Sequence, residues 1–257
     1  MQRPFSILIT THNEATNLPR TLAAIQNWTD DLLIVDSFST DQTPTLAAAA
    51  GARVEQRQYQ GPADQKNWAI PRARHKWLLI LDADEVVRPE LRTEIDALLN
   101  AREDPAAEVY WIGRNNYFMG RRIKYSGWQN DSVVRLILRD RARYHEVQVH
   151  EEIDTTGLQV GRLRGRLDHY TFRSLDHFLA KMRRYARWSA RDHAARTGKI
   201  GAYHLLIKPL FRFWKHYIVK SGWRDGAAGL VVAAVMAWGV FLRYAYMLEE
   251  RKSTGLN

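Results

Sequence analysis

The chain has 257 residues, 46% of them hydrophobic, no cysteine and a formal charge of +10. That length can bury a sizeable core as one large α/β domain with an appendage or as two small domains. Without thiols there can be no disulfide, thiolate metal site or cysteine nucleophile, so any metal must take oxygen or imidazole ligands. The charge is lopsided, with 16 Lys/Arg and 4 Asp/Glu between Arg162 and Asp225, which turns the second half toward an anionic partner and leaves the first half near neutral.

The opening MQRPFSILITTHNE has only a short apolar run and no small-residue cleavage site, which predicts no signal peptide and a cytoplasmic protein. Residues 5–11 (FSILITT), 32–36 (LLIVD), 52–57 and 77–82 are short apolar or β-branched runs of the kind that form strands covered on both faces. Helical patterns separate them: Leu18, Leu22 and Ile25 share a face, 45–50 is Ala-rich and closed by Gly51, and 64–74 is interrupted by Pro71. This β/α alternation predicts an α/β fold with a parallel sheet and right-handed crossovers.

A helix is expected from Pro89 to Leu99 and a strand over 109–112. The segment 115–161 is less regular and reads as substrate-facing, with a strand at 132–138 (SVVRLIL). Ser174 can cap a helix whose apolar face is Leu175, Phe178, Leu179, Met182 and Tyr185. Aromatics then alternate with cations over 211–217 (FRFWKHY), and 226–242 is uncharged. That run falls short of the roughly 20 residues a spanning helix needs. It predicts a helix lying in or dipping into a membrane leaflet, with a hairpin packed on the protein's own core or a dimer partner, or a full span, as alternatives. The chain thus divides into 1–114, 115–172 and a basic, helical extension at 173–257.

In a parallel sheet, ligands bind beyond the carboxyl ends of the strands. There the sequence sets Thr10-Thr-His-Asn-Glu14, Asp36-Ser-Phe-Ser-Thr-Asp41 and Asp82-Ala-Asp84. Three neighbouring carboxylates, Asp82, Asp84 and Glu85, follow the buried run of LLILDADEVV, where repulsion and desolvation call for a cation. Asp82 and Asp84 can hold magnesium or manganese, which would offset charge on a leaving diphosphate. A solvated turn is the plainer reading. Asp36 can accept hydrogen bonds from a base or ribose, or cap a helix. Lys66 can reach a diphosphate or stay solvated.

The order of these motifs resembles the family-2 glycosyltransferases of the GT-A fold, through ILITTHNE (7–14), LLIVDSFSTDQT (32–43), QKNWAI (65–70) and LLILDADE (78–85). A looser likeness continues through SGWQNDSVVRL (126–136) and VHEEI (149–153), and KPLFRFWKHYI and GWRDGAAG look like the tails of the lipopolysaccharide core β-glucosyltransferase branch. The resemblance implies a Rossmann-like, mostly parallel sheet flanked by helices, with a membrane-associating helical extension. It also implies a nucleotide-sugar donor, UDP-glucose being favoured. Thr10, His12, Glu14 and Asp36 fall where the family holds the nucleoside, and Asp82 with Asp84 where it holds ribose, diphosphate and metal.

Such enzymes invert the anomeric centre by direct displacement, and Asp131 matches the position of their general base, effective only in a hydrogen-bonded geometry. Arg135 can steady the diphosphate or pair with a neighbouring acid. His150, next to Glu151, can complete the metal shell, touch the diphosphate or be a satisfied structural histidine. The implied acceptor is a lipid-linked, phosphorylated saccharide such as the heptose region of lipopolysaccharide core, met by a protein peripheral to the inner face of the cell membrane. Nucleic acid is not an expected partner, and an oligomer is possible.

Two rivals fit parts of the sequence. Asp82-x-Asp84 after an apolar run suits a haloacid dehalogenase-type phosphatase, but no downstream Gly-Asp acidic pair follows. A basic membrane- or RNA-binding adaptor explains the charge and leaves the strand-end acids without a purpose.

Overall fold

The structure, a computed structural model, describes residues 3–145, 152–172 and 174–253. The chain forms two compact units, one from Met1–Arg114 and Asp131–Tyr170, the other from Asn115–Asn130 and Thr171–Asn257. The segment 115–130 therefore groups with the C-terminal residues.

In the first unit β1 (Phe5–Thr11), α1 (Leu18–Ala24), β2 (Asp31–Asp36), α2 (Thr43–Ala49), β3 (Arg53–Gln56), α3 (Pro62–Ala69) and β4 (Trp77–Asp82) follow the expected alternation. Next come β5 (Glu85–Val87), α4 (Pro89–Asn100), β6 (Val109–Phe118), β7 (Arg121–Arg122), β8 (Ser132–Leu138) and β9 (Val160–Phe172), the last of which ends in the second unit, as do β6 and β7. Each of α1 to α4 carries proline in its first turn, where the missing N–H has no helical acceptor to lose.

The sheet runs β3-β2-β1-β4-β8-β6-β9-β5, with β7 on β6. Its first four strands are parallel, and Thr10 stands beside Asp82 across β1 and β4. From β4 onward β8 pairs antiparallel with both β4 and β6, and β5 pairs antiparallel with β9, so the sheet is mixed and its parallel part is the first half. Alternate residues of the central strands feed two cores: Ile7, Ile9, Leu79 and Leu81 pack with Leu18, Leu91 and Ile95, while Leu8, Val35 and Ile80 pack with Ala63, Ala69 and Ile70. Burial on both faces is why these strands read as continuous apolar runs.

In the second unit α5 (Leu175–His193) begins as expected, the Ser174 hydroxyl accepting from the His177 N–H at 3.1 Å. A continuous helical segment, 203–219, has α6 (Lys208–Trp214) at its centre and wide π turns at either end. It leads to α7 (Gly226–Ser253). Gly222–Arg251 is long and apolar enough to cross a membrane by length and composition, yet 39% of its most apolar window is buried inside the protein. Val232 and Val235 pack with Phe118, Ile123 and Phe178, and Val240 and Met247 with Ala190 and Ile200, so one face of the 226–242 run packs on the protein's own core while Leu230, Trp238 and Phe241 stay exposed.

GWRDGAAG, read from sequence only as a likeness, is a junction. The buried Asp225 carboxylate accepts from the Lys124 and Tyr125 N–H groups at 2.9 Å each and from the Ser126 hydroxyl at 3.2 Å, tying the start of α7 to the 115–130 segment.

Candidate active site

The loops after β1 and β2 are stitched together. Asn13 donates its N–H to Ser39 Oγ and accepts from the Thr40 N–H, both at 2.8 Å, and Glu14 N–H donates to Thr43 Oγ1 at 2.8 Å. Asp36 is fully buried and accepts from the Thr11 hydroxyl (2.9 Å), the Ser39 hydroxyl (2.5 Å) and the Ser39 N–H (2.8 Å). Its direct effect is to fix the 37–39 loop. His12 is exposed, its Nδ1 3.0 Å from the Ser37 carbonyl, and the Glu14 carboxylate holds Asn17 at 2.8 Å. Thr10 is half-buried near the end of β1, on the rim where these loops start.

At the end of β4 the acids meet protein cations. Asp82 accepts from Lys66 Nζ at 2.6 Å and from Arg135 Nη2. Glu85, with no exposed surface, accepts from Arg135 Nη2 at 2.8 Å and Arg114 Nη1 at 3.1 Å, and its other oxygen takes the Asp82 N–H at 3.1 Å. Arg114 then grips Asp131 at 2.9 Å through each of two nitrogens. Lys66, Asp82, Arg135, Glu85, Arg114 and Asp131 therefore form one alternating chain of three cations and three anions, running from α3 to the start of β8. The charge conflict that the sequence posed is met largely from within the protein.

Burial alone would raise the Asp82 carboxyl, but the Arg135 guanidinium and the Lys66 ammonium hold it well below the usual carboxylate range. Burial would likewise lower Arg135, and Asp82 and Glu85 instead push it well above its ordinary value. The Asp82–Arg135 pair stays charged at neutral pH. Lys66 is buried and also lies 5.4 Å from the Tyr144 ring, so its solvated alternative does not hold.

Asp84 turns elsewhere. Its carbonyl accepts from the Tyr170 N–H at 2.9 Å, and its carboxylate lies 3.6 Å from His169 Nε2. Among the described residues no three His, Asp or Glu side chains come together as a metal group. His150 and Glu151 lie outside the described residues.

Sequence reading missed Arg114, His169 and the central position of Glu85. Arg114 sits in β6 beyond the predicted end of that strand, and His169 lies on β9, a strand not predicted, in a stretch counted only toward the positive charge of the second half. The usable signal was period two: Leu163, Leu167, His169 and Thr171 are buried at every other or every fourth position.

Comparison with known proteins bears on this arrangement. The family model "Glycosyl transferase family 2" matches residues 6–165. The lipopolysaccharide core biosynthesis glycosyltransferase LpsC of Rhizobium meliloti is 31% identical over 96% of this chain and 93% of its own length. An uncharacterized glycosyltransferase of Rickettsia prowazekii is 26% identical over 96% of this chain and 87% of its own. Among solved structures, S. aureus TarS in complex with UDP-GlcNAc overlays with a TM-score of 0.51 at 13% identity, covering 98% of this chain and 92% of that one. Glucosyl-3-phosphoglycerate synthase from Mycobacterium tuberculosis, solved with Mn2+, UDP-glucose and phosphoglyceric acid, gives 0.51 at 18% identity over 72% and 78%. At those identities the likeness to solved structures is one of fold.

Proposed function

The chain belongs to glycosyl transferase family 2, and on that footing we propose that it is an inverting hexosyltransferase using UDP-glucose and a lipid-linked saccharide of the lipopolysaccharide core type. The family match sets the phosphatase and adaptor readings aside. The observation that carries the proposal is the ionic chain from Asp82 to Asp131, which ties the strand end where a donor diphosphate belongs to the carboxylate assigned as base.

In this reading Thr10, His12 and Glu14 receive the nucleoside on the rim that Asp36 holds. Lys66 and Arg135 bring positive charge to the diphosphate side. Asp131 accepts the proton of the acceptor hydroxyl as that oxygen bonds to the anomeric carbon and the carbon–diphosphate bond breaks on the opposite face. Arg114 fixes the orientation of Asp131.

A divalent ion enters the proposal on donor chemistry alone: Asp82 and Asp84 are the hard oxygen ligands that magnesium or manganese prefers, while in this structure Asp82 pairs with Lys66 and Arg135 and Asp84 lies beside His169. Bound there, such an ion supplies charge stabilisation to a departing diphosphate. His150 stays in the proposal as a further ligand.

Support for a lipid-linked acceptor comes from the name of the Rhizobium relative and from the basic second half. That placement makes the protein cytoplasmic and peripheral to the inner membrane face. The test is a donor-hydrolysis screen with UDP-, GDP- and ADP-sugars, with and without manganese. Release of UDP from UDP-glucose, lost in Asp131→Asn with acceptor present, is expected. Turnover of no nucleotide sugar would refute the reading.

A further inference from the structure

The sequence drew attention to the apolar run 226–242, but α7 spends much of that run on the protein's own core. On α7 Leu230, Trp238 and Phe241 stay exposed, but most of the exposed apolar surface here lies on the preceding helical segment. Between 203 and 219 every exposed position except Lys215 is apolar or aromatic, with Leu210 65%, Phe211 58% and Trp214 50% exposed.

A helix of a soluble protein turns its apolar stripe inward. Here the polar side chains face in: Lys208 Nζ donates to the Tyr244 hydroxyl at 2.8 Å, and His216 Nδ1 lies 2.7 Å from the Ser126 carbonyl. A contiguous outward stripe of this kind marks an interaction surface. Its surroundings name the partner. From 193 to 224 the chain holds seven Lys/Arg and no Asp/Glu. Lys215 is exposed on the stripe and Arg224 just beyond it, beside Trp223. Apolar and aromatic side chains bordered by cations complement an anionic lipid surface. A second copy of this chain would set the same cationic patch against itself.

We infer that the outward face of 203–219 is the membrane-docking surface, bedding Leu210, Phe211 and Trp214 into the acyl boundary of an anionic leaflet while the flanking cations meet the headgroups. Its purpose rests on the lipid-linked acceptor proposed above, whereas the surface rests on exposure and charge alone.

The test is flotation of the full chain with vesicles of phosphatidylcholine alone and with phosphatidylglycerol added, without nucleotide. Binding to the phosphatidylglycerol vesicles is expected, weakening with salt. Leu210→Glu/Trp214→Glu should lower partition about tenfold or more, because both side chains are lost from the apolar layer. Leu210→Ile/Trp214→Phe should retain it, with far-UV circular dichroism confirming that both pairs fold.

The inference is overturned if the wild-type chain binds neither vesicle, or if partition survives the glutamate pair and is lost instead in Leu230→Glu/Phe241→Glu on α7. It is also overturned if sedimentation gives a lipid-indifferent dimer that the glutamate pair splits. Vesicle binding is read without donor turnover, so either reading can fail while the other stands.

Discussion

Arg114 holds Asp131 by both carboxylate oxygens, Nε to Oδ2 and Nη2 to Oδ1 at 2.9 Å each, while its third nitrogen reaches the buried Glu85 at 3.1 Å. A planar fork anchored on both sides fixes where the Asp131 carboxylate points, which a base needs more than it needs strength.

Arg114→Lys keeps the charge and gives up the fork. Its kcat should fall about tenfold to a hundredfold, with donor KM nearly unchanged. Asp131→Asn should lose about a thousandfold. Steady-state kinetics on UDP-glucose with a lipid-linked acceptor reads both. Equal losses in kcat and rise in KM for Arg114→Lys would place the arginine at the donor instead.

Glu85 has no exposed surface and two guanidinium partners. Glu85→Gln would leave Arg135 and Arg114 with a neutral acceptor in place of a buried anion, and removing one member of a buried ion pair costs about 3 kcal/mol or more. Urea denaturation should show the midpoint falling with the slope unchanged. A near-neutral result would mean that water reaches this network.

How far the site was legible follows from these residues. Strand-end acids and the Ser174 cap are local patterns, so Asp82, Asp84 and the start of α5 could be read from spacing, whereas Asp131 was singled out only by its likeness to a family motif. The partners of those acids are set by long-range pairing. Arg135 reaches Asp82 only because β8 lies antiparallel on β4, and Arg114 reaches Asp131 because β6 lies on β8. Neither adjacency is encoded in a window of ten residues. The apolar run 226–242 was visible, but which helix turns its stripe outward is decided by packing among α5, α6 and α7.

The Asp82 carboxyl lies below the ordinary carboxylate range when folded, so the native state binds fewer protons than the unfolded chain in mild acid. Its contribution to stability is complete above about pH 4 and declines as pH drops toward the folded value. Asp82→Asn should therefore be less stable than wild type at neutral pH, and the gap should narrow progressively below that point. Denaturation curves from pH 7 downward test this. A gap that stays constant or widens in acid would reverse the sign of the linkage.

Two glycines of α7 separate helix propensity from packing. Replacing an interior helical glycine with alanine normally gains up to about 1 kcal/mol. At Gly239 an added Cβ would meet only the Met182 methyl, at 2.9 Å, the mobile end of a flexible side chain. At Gly229 it would stand 1.9 Å from the Gly222 carbonyl and 2.9 Å from the Asp225 Cβ, in the junction that secures α7, and backbone cannot move aside cheaply. Gly239→Ala should be neutral or mildly stabilising, whereas Gly229→Ala should cost about 3 kcal/mol. Both are read from urea midpoints. Equal behaviour would show that the close approach of Gly222 to α7 is not what holds the helix start in place.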